Sequence, residues 1–329
     1  MADAVRELRA DGHGQARLAT GELAPPGPRQ ARVRVVASGY SLGTERHMLA
    51  AGYRGRLGYS AAGVVEAVGA EVDPHLVGRG VAVYGAPHAG HADRLTVPLT
   101  LAAPLPPGED PGAYAGAGLG AIALHALRLG RLEMGASVLV AGLGAIGQWL
   151  VGLALAGGAR VLAVDPRPER IDLARVQGAA AVGTLDALGD ELVDHERLDL
   201  VLAAMGSEDP GIARQLVALL PLRGRLVVVG DLPLDLDREA LFQREASVVV
   251  SRAGGPGRYD PVHEAQGHDY PVAYVRWTEG RNLGAVVDLV HRRRVRPQAF
   301  ETHRFTPATA GRAYAARDAV GAILSWDEG

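Results

Sequence analysis

The chain has 329 residues, 48% of them hydrophobic, and a formal net charge of -3 at pH 7. That length carries two domains or one large one, each with its own core. The weak charge gives no basic field for nucleic acid, no apolar run reaches the length of a membrane span, and the charged opening MADAVRELRADGHG lacks a signal peptide's apolar region. A cytoplasmic protein acting on a small molecule, without a nucleic-acid or membrane partner, is expected.

The chain contains neither cysteine nor lysine; all 34 basic residues are arginine, and Asn282 is the single asparagine. A coding bias toward GC explains the pattern, but its chemical consequences stand. A thiol nucleophile, a disulfide and a cysteine-ligated zinc or iron-sulfur cluster are all excluded. So are a Schiff base and a Tyr-x-x-x-Lys catalytic pair.

From Val5 to about Pro107, short alternating runs such as ARVRVVAS and AAGVVEAVG, broken by Gly and Pro, predict a β-rich first domain. The proline- and glycine-dense stretch LAAPLPPGEDPG, Leu101 to Gly112, marks a boundary. Continuous apolar runs then alternate with helical segments. The predicted strands are SVLVAG (Ser137 to Gly142), ARVLAVD (Ala159 to Asp165), LDLVLAAMG (Leu198 to Gly206), GRLVVVGD (Gly224 to Asp231) and ASVVVSR (Ala246 to Arg252). The fold class is α/β: a doubly wound parallel sheet of Rossmann type beside a β-rich domain. The basic cluster LVHRRRVRP reads as a solvated helix end.

Between the first of these strands and the helix AIGQWLVGLALAGG lies AGLGAIG, a G-x-G-x-x-G pattern at Gly142, Gly144 and Gly147. Gly142 permits the tight turn, Gly144 lets a pyrophosphate approach the backbone, and Gly147 allows close helix-strand packing. The amides of Ala145 and Ile146 open the helix toward the anion. Asp165 closes the second strand, where its carboxylate would accept both ribose hydroxyls of an adenosine and favour NAD. Arg167 and Arg170 leave NADP open, since a guanidinium tolerates a 2'-phosphate. Met205, Gly206 and Gly230, at the ends of later strands, complete the expected cofactor set. The alternative is a glycine-rich turn used for packing alone.

The chain resembles the medium-chain dehydrogenase/reductase superfamily over nearly its whole length. The landmarks, in order, are GTERH, LGYSAAGVVEAVG, LGAIALHAL, AGLGAIG, VDPRPER with LARVQGA, and ETHRF. The S-x-G-T-E turn is similar to bacteriochlorophyllide dehydrogenases. GYSAAG and the segment GPGRYDPVHEAQGHDYPVAYVRWTEGRN resemble the dehydrogenase half of two-part bacterial sugar or cyclitol oxidoreductases. This resemblance implies a GroES-like catalytic domain at 1-117 completed by 253-329, a Rossmann domain at 118-252, and a homodimer.

Departures from the family pattern bear on chemistry. Leu42 stands where zinc members carry a cysteine, Tyr59 at the zinc histidine and Ser60 at the adjacent glutamate, and the four-cysteine structural zinc lobe is missing. His88 and His91 lack the partners that complete a metal set, so a surface or hydrogen-bonding role is expected for them and no metal site. With zinc gone, hydrogen-bond donors and a general acid/base must manage the substrate oxygen. Tyr59 is the candidate donor, or a filler of the vacated space. Glu45, at the family aspartate, acts directly or pairs with an arginine of the cofactor domain. His47 matches the relay histidine of zinc alcohol dehydrogenases, or touches only ribose or solvent. Thr44 and His125 are candidate substrate contacts; His125 is otherwise a core histidine. Arg258, Tyr259 and Trp277, with Tyr270 and Arg276, equip the 254-282 segment to bind a hydroxylated or ringed substrate, or to form a dimer interface.

The expected function is a zinc-independent, NAD-dependent oxidoreductase interconverting a secondary alcohol and ketone on a sugar-, cyclitol- or nucleoside-like substrate in specialised metabolism. The alternatives are a quinone- or enoyl-type NADPH reductase, and an NAD(H)-binding redox sensor or partner subunit. Transient oxidation without net redox change remains open beside them.

Overall fold

The computed structural model describes residues 3-188 and 198-327. It divides into two compact units: unit 1 comprises Met1–Ala121, Gly254–Arg293 and Phe300–Gly329, and unit 2 comprises Ile122–Ala253 and Arg294–Ala299.

Unit 1 begins with β1 (Asp3–Asp11), β2 (Ala16–Leu23), β3 (Gln30–Gly39), helix α1 (Leu42–Ala50), β4 (Arg54–Arg56), β5 (Ser60–Val68), β6 (Gly80–Tyr84), β7 (Arg94–Pro98) and β8 (Ala102–Pro104). The helix α2 (Ala117–Leu129) carries the chain across the division. Along β3 the side chains of Ala31, Val33 and Val35 are buried while Gln30, Arg32 and Arg34 alternate outward, the period-two pattern of a strand with one face on a core. β3 lies in a seven-stranded sheet, pairing antiparallel with β5 and β7, and β2, β1 and β4 form a separate three-stranded sheet. The core gathers Val33, Tyr40, Leu42, Leu57, Leu95 and Trp326.

Unit 2 alternates β9 (Ser137–Ala141), α3 (Ala145–Ala156), β10 (Arg160–Val164), α4 (Pro168–Gln177), β11 (Ala181–Gly183), β12 (Leu200–Ala203), α5 (Gly211–Ala218), β13 (Arg225–Val228), α6 (Arg238–Arg244) and β14 (Ser247–Val250). All six strands run parallel in the order β11-β10-β9-β12-β13-β14, the doubly wound arrangement whose order reverses beside its first strand. The central strands β9, β10 and β12 are buried almost throughout, which is why they read as unbroken apolar runs. Gly178, at φ 107°, ends α4 in the left-handed conformation that a Cβ would resist.

Three differences from the sequence reading have local causes. The short strand β11 carries too few residues to show a period and went unread. The five predicted strands each ran too long, because Gly142, Met205, Gly206 and Gly230 lie in loops beyond the strand ends. The unit boundaries fall at Ala121/Ile122 and Ala253/Gly254, against the expected 117/118 and 252/253, since α2 itself spans the first of them.

After unit 2 the chain forms the short helix α7 (Pro261–Glu264), α8 (Glu279–His291), β15 (Glu301–Phe305) and β16 (Gly321–Ser325). β16 pairs antiparallel with β3, so the chain's end completes the large sheet of unit 1. Among the described residues, no helix is long and apolar enough to cross a membrane.

Candidate functional site

In unit 2 the glycine loop follows β9. Gly142 adopts φ 90°, and a Cβ there would sit 2.7 Å from Met205 Cβ, so the turn requires glycine. A Cβ on Gly147 would come within 1.9 Å of the Gly142 carbonyl oxygen, so α3 can only start this close to the loop with glycine at that position. Gly230 packs similarly tightly, 2.1 Å from the Met205 carbonyl oxygen to the place its Cβ would take. Met205 therefore packs against both Gly142 and Gly230 at the carboxyl ends of β12 and β13, and Gly206 follows it in the chain beside Asp231. Gly144 caps α3, and among the described residues nothing beyond its chain neighbours lies within 4 Å of where its Cβ would be. That open space, with Ala145 and Ile146 beginning the helix, fits a dinucleotide's pyrophosphate.

Asp165 departs from its expected role. Its carboxylate is 4% exposed; one oxygen accepts from Leu143 N–H at 2.8 Å and lies 3.3 Å from the Arg170 guanidinium, and the other accepts from Arg167 N–H at 3.0 Å. With two lone pairs per oxygen, the group has room for one ribose hydroxyl and not two. Its first task is to tie the glycine loop to the turn after β10. His125, on α2, is half-buried, and burial, assisted by Arg128, holds its imidazole below the ordinary histidine value.

In unit 1, Tyr59 leads into β5 and its phenol donates to Ser41 Oγ at 2.5 Å, while Ser41 Oγ lies 3.3 Å from Thr44 Oγ1. Thr44 is exposed on the first turn of α1, and His47 is exposed one turn on. The hydroxyls make a short chain from a half-buried phenol to the protein surface. Burial pushes the Tyr59 hydroxyl up to about 12, with Ser41 and Thr44 opposing, so it carries its proton at neutral pH. Its ring meets Tyr84 edge-on, with centroids 6.1 Å apart.

Glu45 belongs to a different network. It is fully buried; one oxygen accepts from Ser41 N–H at 2.7 Å, and the other takes Tyr314 OH at 2.6 Å and faces His91 Nε2 at 3.1 Å. His91, also fully buried, bonds Ser38 Oγ at 2.8 Å through its other nitrogen, and Trp326 donates to the same hydroxyl at 3.1 Å. Glu45 therefore has a histidine and a tyrosine of its own unit as partners, where the sequence suggested an arginine or a direct catalytic part. His91 is a core group and not a surface one. Burial opposes ionisation of Glu45, but the imidazole and the donors outweigh it and hold the carboxyl below its ordinary value.

The zinc positions of the resemblance carry Leu42, Tyr59 and Ser60. Leu42 is a buried core residue, and Ser60 Oγ donates to Ala115 O at 2.6 Å while accepting Gly118 N–H at 3.0 Å. Among the described residues, no three His, Asp or Glu side chains are grouped to hold a metal.

Arg258 and Tyr259, from the 254-282 segment, do come to the Tyr59 neighbourhood. The Arg258 guanidinium lies 4.3 Å from the Tyr259 ring centroid and pairs with Glu264, and Tyr259 contributes to the upward push on Tyr59. Tyr259 is 58% exposed and held at φ 66°, a conformation a bulky residue keeps only when its surroundings enforce it. Trp277 packs beneath the Arg276 guanidinium, 5.2 Å from its ring centroid. Sequence reasoning missed Ser41, Tyr84, Glu264 and Glu279. Ser41 stands inside the S-x-G-T-E turn, while Glu264 and Glu279 carry no signal in the sequence and only their burial distinguishes them.

Residues 145-266 match the family model "Zinc-binding dehydrogenase". The chain is 33% identical over 237 residues to phthioceranic/hydroxyphthioceranic acid synthase of Mycobacterium tuberculosis, a match covering 68% of this chain and 11% of that protein. It thus spans about a tenth of the length of that relative. Its fold is that of a short chain alcohol dehydrogenase from E. coli CFT073, solved with NADH, at 19% identity, 98% and 99% coverage and a TM-score of 0.79. A putative zinc-binding dehydrogenase from Sinorhizobium meliloti 1021, solved with NADP, aligns at 20% identity, 98% and 100% coverage and a TM-score of 0.79. The fold is the one that those solved dehydrogenases share, a Rossmann unit and a β-rich unit. Within it, residues 145-266 carry the likeness to the zinc-binding dehydrogenase family.

Proposed function

We propose that the protein is a zinc-independent, NAD-dependent oxidoreductase that interconverts a secondary alcohol and a ketone on a polar, sugar-, cyclitol- or nucleoside-like substrate. The observation that carries this reading is the hydroxyl chain Tyr59–Ser41–Thr44, whose Tyr59 stands at the position that the resemblance gives to a zinc histidine. A bound nicotinamide cofactor supplies or accepts the hydride. The chain's own residues do the rest: the loop at Gly142, Gly144 and Gly147 with Met205, Gly206 and Gly230 holds the dinucleotide, and Arg170 sits where a 2'-phosphate would be tolerated.

Tyr59 holds a proton near the substrate oxygen and gives it to a carbonyl as negative charge develops there. Ser41 and Thr44 return a proton from the surface, with the exposed His47 beside that exit. Because the phenol keeps its proton well above neutral pH, Tyr59 is in the protonated form that a donor to a carbonyl needs. Arg258 and Tyr259 orient the polar end of the substrate, while Glu45 serves to fix α1 and hence Ser41.

The test is Tyr59→Phe. Turnover falls by ~10²-fold with NADH affinity unchanged; full activity in the variant reduces Tyr59 to packing. A second reading, an enoyl- or quinone-type NADPH reductase, is favoured by the likeness to a segment of a large acid synthase. NADPH-dependent reduction of enones without oxidation of any carbinol would select it.

A further inference from the structure

Two carboxyl groups and one guanidinium lie buried together in unit 1. Glu264, on α7, pairs with Arg258, and both side chains are 10% exposed. Glu279, in the first turn of α8, is fully buried, and among the described residues neither of its carboxyl oxygens meets a donor. One turn on, Asn282 donates to Gly254 O at 2.8 Å, which draws the loop onto α8. A Cβ on Gly254 would lie 2.7 Å from Tyr84 Cε1 and 3.2 Å from Glu279 Cβ, so the tyrosine ring and the glutamate stem press on the same glycine. The Arg258 guanidinium reaches Gly85, 3.5 Å from where a Cβ would stand, and Gly85 N–H donates to the Tyr59 carbonyl at 2.9 Å. The acids thus sit behind an arginine that lies beside the strand end carrying Tyr59.

Charge balance decides the state of this group. One guanidinium neutralises one carboxylate, and a second buried carboxylate without a donor is too costly to persist as an anion. The missing donor is the proton itself. We propose that Glu279 is a carboxylic acid sharing its proton with Glu264, and that this acid pair positions Arg258 toward an uncharged hydroxyl or carbonyl group of the substrate. A carboxylate or phosphate gains little at Arg258, because Glu264 already balances its charge.

Glu279 faces Glu264 from α7, Arg258 from the preceding loop and Tyr84 from β6, and Tyr270 senses its charge from farther along the segment. β8 and the turn Leu99–Leu101, which also pack on α8, bring no titratable group. His88 lies near Glu264 and Arg258 on the other side. Burial and then Glu264 push Glu279 up to about 8, against the pull of Arg258.

Infrared titration of the intact chain tests the shared proton without needing a substrate. A carboxylic-acid carbonyl band should be present at neutral pH, disappear with a midpoint near 8 and be absent in Glu279→Gln. In Glu264→Gln the band should vanish at neutral pH as well, because Glu279 becomes the only counter-charge of Arg258; this variant serves if the first fails to fold. A wild type without the band, or a band unchanged in both variants, overturns the proposal.

The positioning role rests on the oxidoreductase reading and has its own readout. In Glu279→Ala, KM for an uncharged alcohol or ketone should rise about tenfold with kcat changed less, and Glu279→Gln should restore it at neutral pH. An unchanged KM in Glu279→Ala overturns the positioning role. If the wild type turns over no alcohol or ketone, the oxidoreductase reading fails while the infrared result stands.

Discussion

Asp165 shows how a residue can be read correctly in place and differently in use. The sequence put a carboxylate at the end of the second Rossmann strand and assigned it to ribose, but its oxygens are largely engaged by Leu143 N–H, Arg167 N–H and Arg170. Asp165→Asn puts an amide donor against at least one of those donors, costing about 1–3 kcal/mol. The expected outcome is weaker binding of NADH and NADPH alike, by ~10-fold at 1.4 kcal/mol, because the loop that holds both is loosened. Titration with each cofactor checks this; loss confined to NADH would return the residue to ribose recognition. Glu45 carries the same lesson, since its charge was legible but its partners, His91 and Tyr314, lie far along the chain.

At the scale of elements, the glycine loop was the most legible part of the site, because three glycines between a strand and a helix leave few geometries. Its members are nonetheless unequal. Gly147→Ala drives a Cβ to 1.9 Å from backbone, which no rotamer relieves, and should abolish cofactor binding or unfold unit 2. Gly144→Ala meets, among the described residues, no atom within 4 Å beyond its chain neighbours, so the unit should fold with near-normal stability while dinucleotide affinity falls. Urea denaturation beside cofactor titration separates the two effects; equal destabilisation by both variants would contradict the packing argument. The strand ends were less legible, since apolar character runs on into loops that the cofactor residues occupy.

For unit 1 as a whole, two buried carboxyls pull stability in opposite directions with pH. Glu45 is held below its ordinary value, so its contribution is present above that value and is lost as pH falls. Glu279 is raised from 4.5 to about 8, so its contribution is complete below 4.5 and is lost as pH rises through about 8. Each pH unit across that window removes up to about 1.4 kcal/mol. Stability should therefore be greatest on the acidic side of neutral and decline toward pH 8. Glu279→Gln should flatten the alkaline decline and leave the acid limb intact, as read by denaturant midpoints over pH. An unaltered alkaline limb would show that Glu279 does not hold a proton in the folded protein.

The sequence by itself determined the α/β class, the parallel sheet and the glycine loop, because these follow from local rules: strand periodicity, continuous burial and the sterics of a missing Cβ. It also brought forward Tyr59, Arg258 and Tyr259. Only the tertiary structure decided that Tyr59 hands its hydrogen bond to Ser41, that Glu45 and His91 are core partners, and that Glu279 is buried near the Glu264–Arg258 pair. The reason is physical: a hydrogen-bond partner or a desolvated charge is fixed by residues distant along the chain, and burial has no signature in the identity of a single acid.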